Sequence, residues 1–199
     1  DDASGGEVDA TELLNSAEQK IFDIRRGKDV RGLQKVNEMV VQAFDRLDMI
    51  NSQNADEYLG VPTGIKDLDR VIMGLNKSDL ILLAARPGMG KTSFALNIAE
   101  NVAINKGKKV AFFSLEMSKE QLVSRILSTK GQIPGQNLRM GKLSDKEWER
   151  LIEAGDLVSK SPIYIDDTPG ITIPEMKAKI RRLGNFDLVI IDYLQLMSS

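Results

Sequence analysis

With no Cys and no His among its 199 residues, this chain has no disulfide, thiolate or imidazole chemistry to offer, which leaves carboxylates, Lys, Arg and metal-bound phosphate. The densest cluster of such groups is Ala84-Ala85-Arg86-Pro87-Gly88-Met89-Gly90-Lys91-Thr92, directly after the apolar run Leu80-Ile81-Leu82-Leu83. A strand, a Gly-rich loop and a helix start in that register can wrap a phosphate. The backbone N–H groups of Gly88, Met89, Gly90 and Lys91 face an anion at a helix N-terminus, where the macrodipole also favours negative charge. Lys91 is placed to reach the β- and γ-phosphates and Thr92 to hold Mg²⁺, with Arg86, Pro87 and Ser93 flanking them. The eight-residue pattern normally opens on Gly, and Ala85 stands there instead. The plain alternative is a Gly-rich turn capping a helix, and the joint register of strand, glycines, Lys and Thr weighs against it.

Two carboxylates at strand ends extend this chemistry. The run Leu188-Val189-Ile190-Ile191 ends in Asp192, at the C-terminal edge of a buried strand, where open parallel α/β sheets bind ligands. Asp192 is expected in the Mg²⁺ shell. Val110-Ala111-Phe112-Phe113 runs into Ser114-Leu115-Glu116 and puts a second carboxylate at the same edge. Glu116 is the candidate to orient and deprotonate an attacking water, a role hydrolysis needs because phosphoryl transfer is stabilised by positioning and charge. A solvated loop Glu is the competing reading, and spacing leaves both open.

These residues need a scaffold, and the chain supplies one in two parts. Residues 1–9 are acidic, contain Gly and Ser and lack periodicity, as in a linker remnant preceded by something further. Residues 10–57 read as helical. One stripe is Leu14, Ala17, Ile21 and Ile24, with Asp9 and Glu12 at capping-box spacing and Gly27 as the stop, and a second runs through Leu33, Val36, Val40, Phe44 and Leu47. From Tyr58 on, apolar strands at 80–84, 110–113, 163–165 and 188–191 alternate with helices starting near Thr92, Ser118, Ser144 and Thr172. This is the pattern of an α/β fold, a parallel sheet covered by helices. Ser118 with Gln121, Ser144 with Glu147 and Thr172 with Glu175 are three capping boxes.

A formal net charge of −2 is not the footprint of a free-standing nucleic-acid binder. The basic clusters Arg25-Arg26-Lys28-Arg31, Lys106-Lys108-Lys109 and Lys177-Lys179-Arg181-Arg182 fall near helix ends, where cations complement the dipole. No apolar run approaches the roughly 20 residues that span a bilayer, and the first residues are not those of a signal peptide. The expectation is a cytoplasmic protein with no membrane partner.

Taken together, Thr63-Gly64-Ile65 with Leu68-Asp69, Ala85-Arg86-Pro87-Gly88-Met89-Gly90-Lys91-Thr92, Phe113-Ser114-Leu115-Glu116-Met117 and Ile191-Asp192-Tyr193-Leu194-Gln195-Leu196-Met197 resemble the replicative DNA helicases of the DnaB family. The resemblance runs from about Asp9 to Ser199. It implies a RecA-like P-loop NTPase domain, begun here by residues 58–199, in which Ala at the place of Ala85 is usual. It also implies ATP and Mg²⁺ as ligands, Glu116 as catalytic base beside Lys91, and Gln195 as a sensor of nucleotide or DNA state. As assembly it implies a ring hexamer on single-stranded DNA, with helix 11–26 linking to a neighbouring copy, and a primase and a helicase loader as further partners. Measured against the family, the N-terminal primase-contacting domain, the arginine finger and the DNA-binding loops are absent, so the chain reads as a middle piece of a helicase. The strand that follows Asp192 in a RecA-like sheet inserts between the phosphate-loop strand and the Asp192 strand. Without it the C-terminal part of the sheet is missing, and the piece alone is expected to be inactive or weakly active. Another RecA-like ATPase of recombination or repair, a nucleotide-binding assembly module without turnover and a small-molecule P-loop kinase are the alternatives.

Overall fold

A computed structural model describes residues 35–50 and 60–193; the stripe from Leu14 to Ile24, Leu33, the cluster Arg25-Arg26-Lys28-Arg31, the polar tract 51–57 and Gln195 lie outside them. The chain divides after Tyr58 into two units. In the first, α1 spans Val36–Ile50, as its stripe predicts, and Val36, Val40, Phe44 and Leu47 are all exposed on it.

The second unit begins with α2 (Lys66–Ile72) and α3 (Lys91–Glu100), which runs on into a π-helical turn, Asn101–Asn105. Then come β1 (Val110–Ser114), α4 (Lys119–Gly131), α5 (Gly135–Met140), α6 (Asp145–Ser159), β2 (Ile163–Asp166), α7 (Ile173–Leu183) and β3 (Leu188–Asp192). The strands form one parallel sheet in the order β2-β1-β3. All three predicted capping boxes close, with the Ser118, Ser144 and Thr172 hydroxyls accepting from Gln121, Glu147 and Glu175 backbone N–H groups. Each satisfies helix-terminal donors that would otherwise face water alone.

Strand β1 is buried along its whole length, which explains why its sequence shows no polar alternation. Val110 and Phe112 pack with Ala95, Leu96, Ala99 and Val102 of α3 and its turn, and with Leu122 and Ile126 of α4. Ala111 and Phe113 point to the other face, against Ile171 and Met176. Flanking β1, β2 and β3 are only half-buried and expose Tyr164 and Val189. A charge enters the core beneath α3: Glu100 is buried, and the Lys130 ammonium meets it at 3.1 Å.

The run at 80–84 departs from the sequence expectation. It forms no strand, and Leu80 and Leu82 are 85% and 73% exposed. A strand exists through its ladder, and among the described residues nothing pairs with this segment. Among the described residues β3 pairs only with β1.

Within the basic clusters at 106–109 and 177–182, Lys109 and Lys179 are tied into the fold. Lys109 donates its backbone N–H to Asp187 and its ammonium to the Leu183 carbonyl, beside the rings of Phe186 and Tyr164. Lys179 pairs with Asp166 at 2.6 Å, and Arg181 and Arg182 sit in the last turn of α7. Among the described residues no helix is long and apolar enough to cross a membrane.

Candidate nucleotide site

The loop at 86–90 folds as a tight turn, with Met89 N–H donating to the Arg86 carbonyl at 3.2 Å. Gly88 and Gly90 take φ of 76° and 85°. A Cβ at either would meet nothing within 4 Å, so glycine is required here by the backbone angle and not by lack of room. Gly90 is the N-cap of α3 and offers no side chain to the first turn, which also carries no acidic residue. The N–H groups there are left to water or to an anion, and the helix dipole favours the anion. Arg86, Pro87, Gly88 and Met89 are exposed around this mouth.

Lys91 and Thr92 open α3 and meet Asp192, a hundred residues away, at the C-terminal end of β3. Asp192 Oδ1 lies 3.1 Å from Lys91 Nζ, and Thr92 Oγ1 donates to Oδ2 at 2.5 Å. Asp192 is 3% exposed, so a single buried carboxylate gathers both residues of the loop. Ser114 of β1 stands opposite Asp192 in register, and Leu115 N–H donates to the Asp192 carbonyl at 2.8 Å. The Ser114 hydroxyl then accepts from Met117 N–H and donates to the Met117 carbonyl. That closes the turn that carries Glu116, which stands exposed at the same sheet edge.

Among the described residues no three acidic side chains cluster to cage a metal. The adjacent oxygens of Thr92 and Asp192 would fit a cation whose other ligands come from phosphate and water, the usual way Mg²⁺ is held. Three contacts went unread in the sequence. Arg125 Nη1 of α4 donates to Ser93 Oγ at 3.3 Å, Ser114 braces the Glu116 turn, and the Tyr193 ring lies 4.0 Å from Lys91 Nζ. Only the adjacency of Tyr193 to Asp192 could have signalled the last.

A parallel sheet presenting a Gly-rich loop, Lys91, Thr92 and a strand-end Asp192 at its C-terminal edge defines a P-loop nucleotide-binding protein of RecA-like build. Residues 60–199 match the family described as DnaB-like helicase C terminal domain, and the chain belongs to that family. It is 44% identical over 194 residues to the replicative DNA helicase DnaC of Bacillus subtilis (strain 168), covering 96% of this chain and 42% of that protein. It is 45% identical over 188 residues to the replicative DNA helicase DnaB of Geobacillus stearothermophilus, covering 93% and 41%. Among solved structures, one described as an ATPase domain superposes with a TM-score of 0.74 at 30% identity, covering 84% of this chain and 60% of that one. A DnaB-like replicative helicase, whose structure was described together with its interactions with primase, gives 0.73 at 29% identity, covering 93% and 45%. The chain thus spans about two fifths of the length of the curated relatives.

Proposed function

We propose that this chain is part of the ATP-hydrolysing motor of a replicative DNA helicase, acting in the cytoplasm. The observation that carries the proposal is the convergence of Lys91 and Thr92 on the buried Asp192 carboxylate, within a chain of the DnaB-like family. In this reading the N–H groups from Gly88 to Lys91 and the Lys91 ammonium hold the triphosphate, while Arg86, Pro87 and Ser93 line its mouth. Thr92 and Asp192 hold Mg²⁺, which when bound neutralises charge on the β- and γ-phosphates. Glu116 takes a proton from water as the water oxygen attacks the γ-phosphorus and the bond to the bridging oxygen breaks, leaving ADP and phosphate. Gln195 senses nucleotide or DNA state. Residues 1–9 are a linker, 10–57 a helical docking segment and 58–199 the first part of the motor. Helix 11–26 docks on a neighbouring copy in a ring hexamer that moves along single-stranded DNA, served by a primase and a loader.

A second reading, a nucleotide-binding assembly module without turnover, is favoured for the 199-residue chain alone by the unladdered run at 80–84. The deciding experiment measures ATPase with and without single-stranded DNA, and duplex unwinding, for the full-length protein beside this chain. DNA-stimulated turnover and unwinding by the full-length protein, with weak or no turnover by the isolated chain, is the expected outcome. Comparable turnover in both would overturn the truncated-motor reading, and absence of unwinding by the full-length protein would overturn the helicase.

A further inference from the structure

Lys91 has two neighbours that attract its ammonium. The Asp192 carboxylate lies 3.1 Å away, and the ring centroid of Tyr193, the next residue along the chain, lies 4.0 Å away. The other Asp192 oxygen accepts from Thr92, so both oxygens of the carboxylate are engaged. If the loop takes Mg-triphosphate as proposed above, this arrangement must change. Asp192 is then needed by the cation and Lys91 by the phosphates, and their ion pair has to part. An aromatic face differs from a carboxylate in this exchange. It attracts the ammonium through its quadrupole, carries no net charge for phosphate to displace, and does not compete for the metal.

We propose that Tyr193 is a positioning residue for Lys91. Its ring face keeps the ammonium at the mouth of the phosphate loop when Asp192 turns to the cation, so that Lys91 is not lost to solvent between its two partners. The proposal rests on the reading of the loop as a triphosphate site. Lys91 is 26% exposed, between the surface and the desolvated limits of such contacts. Loss of the ring should therefore weaken Mg-ATP binding by about 3- to 30-fold. The phenol hydroxyl has no part in the effect.

The test is titration of the full-length protein with Mg-ATP by calorimetry, comparing Tyr193→Phe, Tyr193→Leu and a series carrying phenylalanine with one, two or three ring fluorines at position 193. Fluorine drains the ring face of negative potential while hardly changing its size. The expected result is near-parent affinity for Tyr193→Phe, a stepwise fall with each fluorine, and the weakest binding for Tyr193→Leu. Equal affinity across the fluorinated series overturns the proposal, whether or not Tyr193→Leu binds weakly, since only packing would then matter. No Mg-ATP binding by the unsubstituted protein overturns the triphosphate reading itself and this proposal with it.

Discussion

Replacing Lys130 by Met isolates a buried charge. Glu100 ends α3 with 2% of its surface exposed, its Oε2 faces Lys130 Nζ at 3.1 Å, and its Oε1 has no hydrogen-bond partner among the described residues. Breaking a buried pair from one side costs roughly 3–5 kcal/mol because the remaining charge is left uncompensated. Lys130 keeps 22% of its side chain in water, so Lys130→Met should cost about 3 kcal/mol, the low end of that range. With a urea m-value of about 2 kcal/mol/M, the midpoint at neutral pH should fall by about 1.5 M. Converting the pair to Glu100→Leu with Lys130→Met leaves no buried charge and should recover most of the loss. The deficit must also depend on pH. Burial pushes the Glu100 carboxyl above its usual 4.5, and the hydrogen bond and attraction from Lys130 pull it down without cancelling that rise. A folded-state pKa above the unfolded value gives stability that is complete below the unfolded pKa and lost as pH rises through the folded one. Removing Lys130 raises the folded value further, so the Lys130→Met deficit should be largest near neutrality and shrink toward about pH 5. Urea unfolding followed by circular dichroism at both pH values decides it. A deficit under about 0.5 kcal/mol, or one equal at the two pH values, would mean that Glu100 is not a buried charge held by Lys130.

Ser118→Ala removes the hydroxyl that caps α4 and should cost about 1 kcal/mol in the same assay; an unchanged midpoint would mean that water replaces the cap without loss. Burial pushes Asp166 up, but hydrogen bonds from Lys179 and Thr168 outweigh it and hold the carboxyl below its usual 3.8. Its stabilisation is therefore present above that value and lost as pH falls through the folded pKa, so Asp166→Asn should flatten the pH dependence of stability on the acid side; an unaltered acid limb counts against the Lys179 pairing. In the full-length protein, Leu14→Asp with Ile21→Asp should dissociate assemblies while the motor domain stays folded, since each apolar side chain buried at the docking site contributes about 1.5–3 kcal/mol. Unchanged sedimentation would end the docking role proposed for residues 11–26.

Local features were the most legible in the sequence. The Ser118, Ser144 and Thr172 caps each need a partner only three residues away, and all three formed with the expected pairs. The strands ending at Ser114, Asp166 and Asp192 each fell within one residue of their expected ends. The run at 80–84 misled because apolar composition signals burial, whereas a strand depends on a non-local ladder partner. Helix α2 carries no side-chain cap on its own N-cap residue. Asp69, inside the helix, instead accepts from the backbone N–H groups of Thr63 and Gly64, a reversed arrangement that no start signal describes. Lys109 reads as a helix-end charge, yet its ammonium lies over the Phe186 ring and donates to the Leu183 carbonyl. At the site, motif spacing brought Lys91, Thr92 and Asp192 to one place, while the approach of Tyr193 to Lys91 depends on how the chain leaves β3, which spacing does not encode.

The proposed site divides its labour between Lys91, which would neutralise phosphate charge already present in the bound state, and Glu116, which would act on water. Mg-ATP binding and single-turnover hydrolysis measured side by side on full-length Lys91→Ala and Glu116→Gln test it most directly. Lys91→Ala should lose triphosphate affinity, whereas Glu116→Gln should bind nearly as the parent does and hydrolyse slower by roughly 10²–10³, by analogy with the loss of one transition-state stabilising group. Near-normal hydrolysis by Glu116→Gln, or undiminished binding by Lys91→Ala, would contradict the account.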